Sequence, residues 1–195
     1  MIMSSEPDAA SRPRTSAMHD ALMQPWMCAF ASVRVIYLSG PITTGPLFLE
    51  AIRSGVGDAR KCAFDANSAA LKATAARLRN ERSEIVVEPA SLNVVGWSQN
   101  DYIAFWEIFI ERHVRLVMLM PGWQFSAGCA AEFAKATESG IRTETLEGLE
   151  LRPEQGIAML QAAADDMKDG GRFEGIARLR ASIIETINRI DTALR

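Results

Sequence analysis

Pro121-Gly122-Trp123-Gln124-Phe125-Ser126-Ala127-Gly128-Cys129-Ala130-Ala131-Glu132 follows the apolar run Val114-Arg115-Leu116-Val117-Met118-Leu119-Met120 and leads into a helical stretch of small residues. A strand, a glycine-containing loop and a helix in that order form the junction at which open α/β sheets place their ligands. A second junction begins at Val33-Arg34-Val35-Ile36-Tyr37-Leu38, whose β-branched and aromatic residues predict a strand. It ends in the loop Ser39-Gly40-Pro41-Ile42-Thr43-Thr44-Gly45. Two such loops at neighbouring strand ends make one crevice.

Between and beyond these junctions, strands and helices alternate. Phe48 to Asp65 carries Gly55, Gly57 and mixed charges, and reads as a lid or a short helix. Asn67 to Arg79 places Leu71, Ala75 and Leu78 at helical spacing, with Asp65 or Asn67 as N-cap. Glu84-Ile85-Val86-Val87-Glu88-Pro89 is a β-branched run stopped by proline, hence a second strand. From Asp101 to Arg112, apolar residues cover most of a helix circumference, which implies burial on more than one side and suggests a subunit interface. Ala130 to Ser139 is a helix ended by Gly140, and a further strand is expected at Ile141 to Leu146. This order predicts an α/β fold: a doubly wound, mainly parallel sheet of Rossmann-like or flavodoxin-like type with right-handed crossovers and a helical C-terminal extension. In that extension Ile176, Leu179, Ile183, Ile187, Ile190 and Leu194 form an apolar stripe, to be covered by the sheet or by a second copy of the chain. Three segments result: a loosely ordered arm over 1–30, an α/β domain over 31–150, and the helical extension over 151–195.

Composition narrows the function. The chain has 195 residues, 48% of them hydrophobic, enough to bury a core. A net charge of -3 with no dense Lys/Arg run argues against a nucleic-acid polymer as partner. Cys28, Cys62 and Cys129 are widely spaced, and only His19 and His113 are available to join them, so neither a disulfide framework nor a metal site is expected. No apolar run approaches the ~20 residues of a membrane span. Ala21 to Ala31 is interrupted by Gln24 and Pro25 without a basic segment before it, which makes a signal peptide a poor reading. A cytoplasmic location is expected.

Tyr37 on the first strand, the loop Ser39 to Gly45, Glu107 on the middle helix, and Ser126-x-Gly128-x-x-x-Glu132 stand in a recognisable order. In that order the chain resembles the nucleoside 2-deoxyribosyltransferase-like superfamily, which includes deoxyribosyltransferases and nucleoside 5′-monophosphate N-glycosidases. The resemblance covers roughly Val33 to Leu146. It implies that Glu132 attacks C1′ of a nucleoside or nucleotide sugar and forms a glycosyl ester, as in a retaining glycosidase. Tyr37 is then the hydrogen-bond donor that orients Glu132. Glu107, in place of the family's aspartate, is the acid serving the base, with Asp101 in reserve. Ser126 stands where transferases carry aspartate, a neutral hydroxyl that tolerates a phosphate at a helix N-terminus. No metal or organic cofactor is implied, and family members commonly assemble as homo-oligomers.

The remaining candidates are ligand contacts. Ser39, Gly40, Pro41, Thr43, Thr44, Gly45 and Gly128 offer loop donors, while Trp97 and Trp123 offer rings for a base. Arg53, Arg60 or Lys61 can supply the basic residue that the first loop lacks. Cys129 has no histidine near it in sequence and reads as a helix-packing residue. The helix dipole is expected to keep Glu132 ionised. Apart from the resemblance, Glu132 is an ordinary first-turn glutamate and Tyr37 a half-buried strand residue. A nucleotide-binding sensor that has lost turnover is the rival function.

Overall fold

All five residues of Val35–Ser39 (β1) are buried, as befits a strand covered on both faces at the centre of a parallel sheet. In the computed structural model, which describes residues 20–25, 29, 33 and 35–195, β1 lies between β2 (Ile85–Val87) and β3 (Val114–Leu119). The polar strand β4 (Arg142–Thr145) completes the edge. The order is β2-β1-β3-β4 and every pairing is parallel. Chain order therefore reverses between β1 and β3, and the crevice beyond their carboxyl ends is the topological switch point. This is the expected α/β, doubly wound architecture.

The two-residue period of β1 divides the core. Ile36 and Leu38 join Met118, Val86 and the helix residues Leu71, Ala75 and Leu78 on one side of the sheet. Val35 and Tyr37 face the other side with Val117, Leu119 and the larger cluster. The first side is covered by α3 (Ala59–Glu81). The second is covered by α4 (Gln99–His113), α5 (Ala127–Glu138) and α7 (Glu174–Ala193), with α6 (Pro153–Asp166) packed on α7. Residues 20–25 are helical (α1), and the short α2 (Pro46–Arg53) follows the first loop. Among the described residues no helix is long and apolar enough to cross a membrane.

Several boundaries differ from the sequence expectation. The stretch 48–65, expected as a lid or a short helix, holds most of the short α2, a turn with Gly55 at φ 72°, and the start of α3. Asp58 is the N-cap, its side chain accepting from Lys61 N at 3.0 Å, so the crossover helix begins well before Asn67. Asn67 instead donates from within α3 to the carbonyls of Ile42 (3.1 Å) and Thr44 (2.9 Å), pinning the first loop. The second loop also ends early: Ser126 caps α5, which puts Glu132 in the second turn rather than the first.

The apolar faces that suggested a subunit interface are covered within one chain. Ile176, Ile183 and Ile190 are fully buried, with Leu179 and Ile187 nearly so, in the same cluster as Tyr37 and Phe133; only Leu194, 48% exposed, falls outside. Phe105, Trp106, Phe109 and Ile110 of α4 are likewise buried. These faces therefore give no reason to invoke a partner copy. The extension over 151–195 shares the core of the α/β domain rather than standing apart from it. Of the arm over 1–30, residues 1–19, 26–28 and 30 lie outside the described residues, whereas Met23 of α1 is 2% exposed and belongs to the main core.

At Gly156 the packing of α6 leaves no room for a side chain. A Cβ at Gly156 on α6 would stand 2.0 Å from Cζ of the fully buried Phe133 ring. Gly156→Ala is expected to cost about 1–3 kcal/mol of stability by overpacking. Urea denaturation measures this, and Phe133→Leu in the same chain should return part of the loss. An unchanged midpoint for the single substitution would contradict the packing.

Candidate active site

Tyr37 and Ser39 are two residues apart on β1, so both project from the face toward α5. There they meet one carboxylate. Tyr37 Oη donates to Glu132 Oε1 and Ser39 Oγ donates to Glu132 Oε2, each at 2.6 Å. The structure thus brings together Tyr37 and Glu132 as the resemblance implied. Ser39, expected to touch ligand, instead adds a second donor. Its role was open to the period-two rule but required knowing that α5 lies over this face. The Tyr37 ring is held by Trp106 and Phe109, with ring centroids 5.4 and 6.3 Å away.

Burial sets the chemistry of this carboxylate. Glu132 is 7% exposed, and desolvation pushes its pKa from 4.5 to about 7; the donors Ser39 and Tyr37 pull it down, and the charge of Glu107 pushes it up. The helix dipole acts within the first turn and does not overcome this in the second. The expectation of a carboxylate kept ionised by the helix dipole is therefore corrected: burial moves its proton equilibrium up toward neutrality. The same burial raises Tyr37 well above the usual phenol range, with the Glu132 charge adding to it. Cys129 is pushed up to about 12 by burial first and Glu132 second, leaving an inert thiol.

Glu132 lies at one wall of a cleft of about 520 Å³. Gly40, Thr43 and Thr44 from the first loop and Ser126 and Gly128 from the second line it, as expected of them. Ser126 accepts from Cys129 N at 3.4 Å as the cap of α5. Pro41 and Gly45 do not line the cleft; they pack on each other, since a Cβ at Gly45 would meet Pro41 Cβ at 2.6 Å. Of the candidate basic residues, Arg60 reaches the cleft, with its guanidinium 5.2 Å from the Phe48 ring centroid. Arg53 pairs with Asp166 and Lys61 with Asp65, both away from it.

The aromatic expectations are corrected. Trp123 is 2% exposed and packs on Phe133 at 4.9 Å, because Gly122 in a left-handed conformation (φ 82°) turns the chain so that the ring enters the core. Trp97 packs against Tyr102 (4.9 Å) and Phe105 (5.3 Å). Neither lines the cleft. The rings that do are Phe64 on α3 and Tyr102 and Trp106 on α4. Gln99, Tyr102, Ile103 and Trp106 follow the helical three-and-four spacing, and that stripe was the sequence signal for this wall. The last wall, from Arg178, Leu179 and Ser182 of α7, had no signal within the motifs.

The two candidate acids are engaged elsewhere. Glu107 forms an ion pair with Arg189 at 2.5 Å, and Asp101 closes a capping box with Ser98, accepting from its N and Oγ at 2.7 Å. Neither lines the cleft. Among the described residues no group of three His, Cys, Asp or Glu is placed to hold a metal ion.

A raised carboxylate pKa has a thermodynamic signature. Folded Glu132 holds a proton that the unfolded chain releases near pH 4.5, so its contribution is complete below that pH and is lost as pH rises through about 7. Glu132→Gln is therefore expected to gain stability relative to wild type across that window, by up to on the order of 3 kcal/mol. Urea midpoints for both proteins from pH 4.5 to 8 measure the difference, and a difference independent of pH would contradict the buried, proton-holding carboxylate. No family model, curated protein or solved structure matches the chain.

Proposed function

We propose that the chain cleaves the N-glycosidic bond of a nucleoside or nucleoside 5′-monophosphate, with Glu132 as nucleophile. The observation that carries this reading is the buried Glu132 carboxylate, gripped at both oxygens by Tyr37 and Ser39 in the wall of a cleft at the switch point of the sheet. The ordered resemblance of Tyr37, the first loop and Ser126-x-Gly128-x-x-x-Glu132 to the nucleoside 2-deoxyribosyltransferase-like superfamily supplies the reaction class.

The proposed reaction class sets the steps. A Glu132 oxygen bonds to C1′ as the C1′–N bond breaks; the electron pair leaves on the base nitrogen, which takes a proton from water. Water then attacks C1′, and the ester bond breaks to return the carboxylate and free the sugar. Tyr37 and Ser39 fix the trajectory, and their donors strengthen the carboxylate as a leaving group in the second step. Phe64, Tyr102 and Trp106 offer faces for the base. Arg60, Lys72 and Arg178 at the cleft favour an anionic substituent on the sugar. A cytoplasmic setting, where nucleotides are pooled, suits the reading.

A specific observation favours a second reading, a nucleotide-binding sensor without turnover. Glu107, the residue implied as the acid for the base, is held by Arg189. Binding of nucleotides with no base release under any condition would select it.

A mass-spectrometric screen of nucleosides and nucleotides for free base identifies a substrate. On that substrate Glu132→Gln is expected to lower kcat at least ~100-fold, the scale of a principal catalytic group, with Tyr37→Phe and Ser39→Ala causing smaller losses. Because the attacking form is the anion, kcat/KM should rise with pH through about 7. Wild-type turnover by Glu132→Gln would remove the mechanism. With Ser126 in place of an aspartate, sugar release is expected to exceed base exchange when a second free base is supplied; dominant exchange would assign the chain as a transferase instead.

A further inference from the structure

One side chain of α7 reaches two other helices. Arg189 donates from Nη1 to Glu107 Oε1 of α4 at 2.5 Å, and from Nε and Nη2 to Oε1 and Oε2 of Glu138 on α5 at 2.5 and 2.7 Å. The grip on Glu138 is a bidentate fork, which fixes direction as well as distance. Glu138 shares α5 with Glu132, and Glu107 follows Trp106, whose ring backs Tyr37. The three side chains are 22–37% exposed, so their charges are incompletely screened by solvent.

We propose that Arg189 is a positioning residue for Glu132: it compensates the Glu107 carboxylate and holds α4 and α5 at the spacing in which Glu132 meets Tyr37 and Ser39. The groups around Glu132 support this assignment. β1 presents the hydroxyls of Tyr37 and Ser39, and α5 presents the Cys129 thiol. Glu88, at the end of β2, acts on Tyr37. Arg60 and Lys72 of α3 and Arg178 of α7 line the cleft. From α4 comes Glu107, the like charge that raises the proton affinity of Glu132, and Arg189 is the cation bound to it. Removing Arg189 leaves that like charge uncompensated, whereas removing Glu107 relieves it.

The test titrates the Glu132 side-chain carboxyl by carbon NMR in protein labelled at Glu Cδ, with Glu132→Gln assigning the resonance. Arg189→Gln is expected to move the Glu132 midpoint upward by on the order of one pH unit, the scale on which carboxylates spread in folded proteins. Glu107→Gln should move it downward. The double substitution E107Q/R189Q should return it close to wild type, and Arg189→Lys should lie between wild type and Arg189→Gln. Wild-type midpoints in both single variants would overturn the proposal, as would a double variant that stays at the Arg189→Gln value, because Glu107 would then not be the charge that Arg189 compensates. If Arg189→Gln does not fold, Arg189→Lys takes its place: a Glu132 midpoint above wild type is expected, and a wild-type midpoint overturns the proposal. The consequence for turnover, a kcat/KM profile displaced to higher pH in Arg189→Gln, rests on the glycosidase reading. The titration does not, so the two fail separately.

Discussion

A carboxylate taken out of water needs donors at both oxygens, and at Glu132 those donors come from a single strand. Tyr37 and Ser39 face the same way only because β1 is extended, and they reach α5 only because β1 is interior to the sheet. Much of the architecture follows from that demand. A central strand buried on both sides needs helices on both sides, with α3 against Ile36 and Leu38 and with α4, α5 and α7 against the face of Tyr37. The aromatic packing of α4 holds the phenol in place, and α7 seals α5 from the outside.

The opposed effects at this point leave Glu132 poised. Desolvation favours the neutral acid, the two hydroxyls favour the anion, and the outcome lies near neutrality instead of in the usual carboxylate range. The neighbouring thiol and phenol, buried with the carboxylate and facing its charge, are driven away from ionisation. One group in this cluster is therefore free to change protonation near pH 7, while those beside it remain neutral.

The parts of the fold that were legible in the sequence are those governed by local pattern. The apolar runs at β1 and β3, the loops that end them and the helical spacing in α4 each carry their own signature, and together they imply a parallel sheet. The pairing of Tyr37 with Glu132 was implied by the family resemblance, not by local pattern. What stayed hidden depends on contacts distant in sequence. The ion pair of Glu107 with Arg189 joins residues 82 apart, and no period announces it. Trp97 and Trp123 sit in loops next to glycine, where a ring can face either ligand or core; packing on Tyr102 and Phe133 decided for the core. The start of α3 was obscured because Gly55 and Gly57 suggested a longer break than the turn they make. The stripe on α7 was clear as a stripe, but its partner surface could not be known before the sheet was assembled.

The position of α7 also has a consequence for how the protein comes into being. Every strand of the sheet and the helix bearing Glu132 precede α7 in the chain, so they leave the ribosome before the segment that covers α5 and contributes Arg178, Leu179 and Ser182 to the cleft. Until α7 arrives, the apolar face of α5 is wet. A nascent chain can thus acquire its strand order early, but the solvent-shielded setting of its central carboxylate is among the last features to form. Completion of the cleft therefore depends on long-range contact rather than on local structure alone.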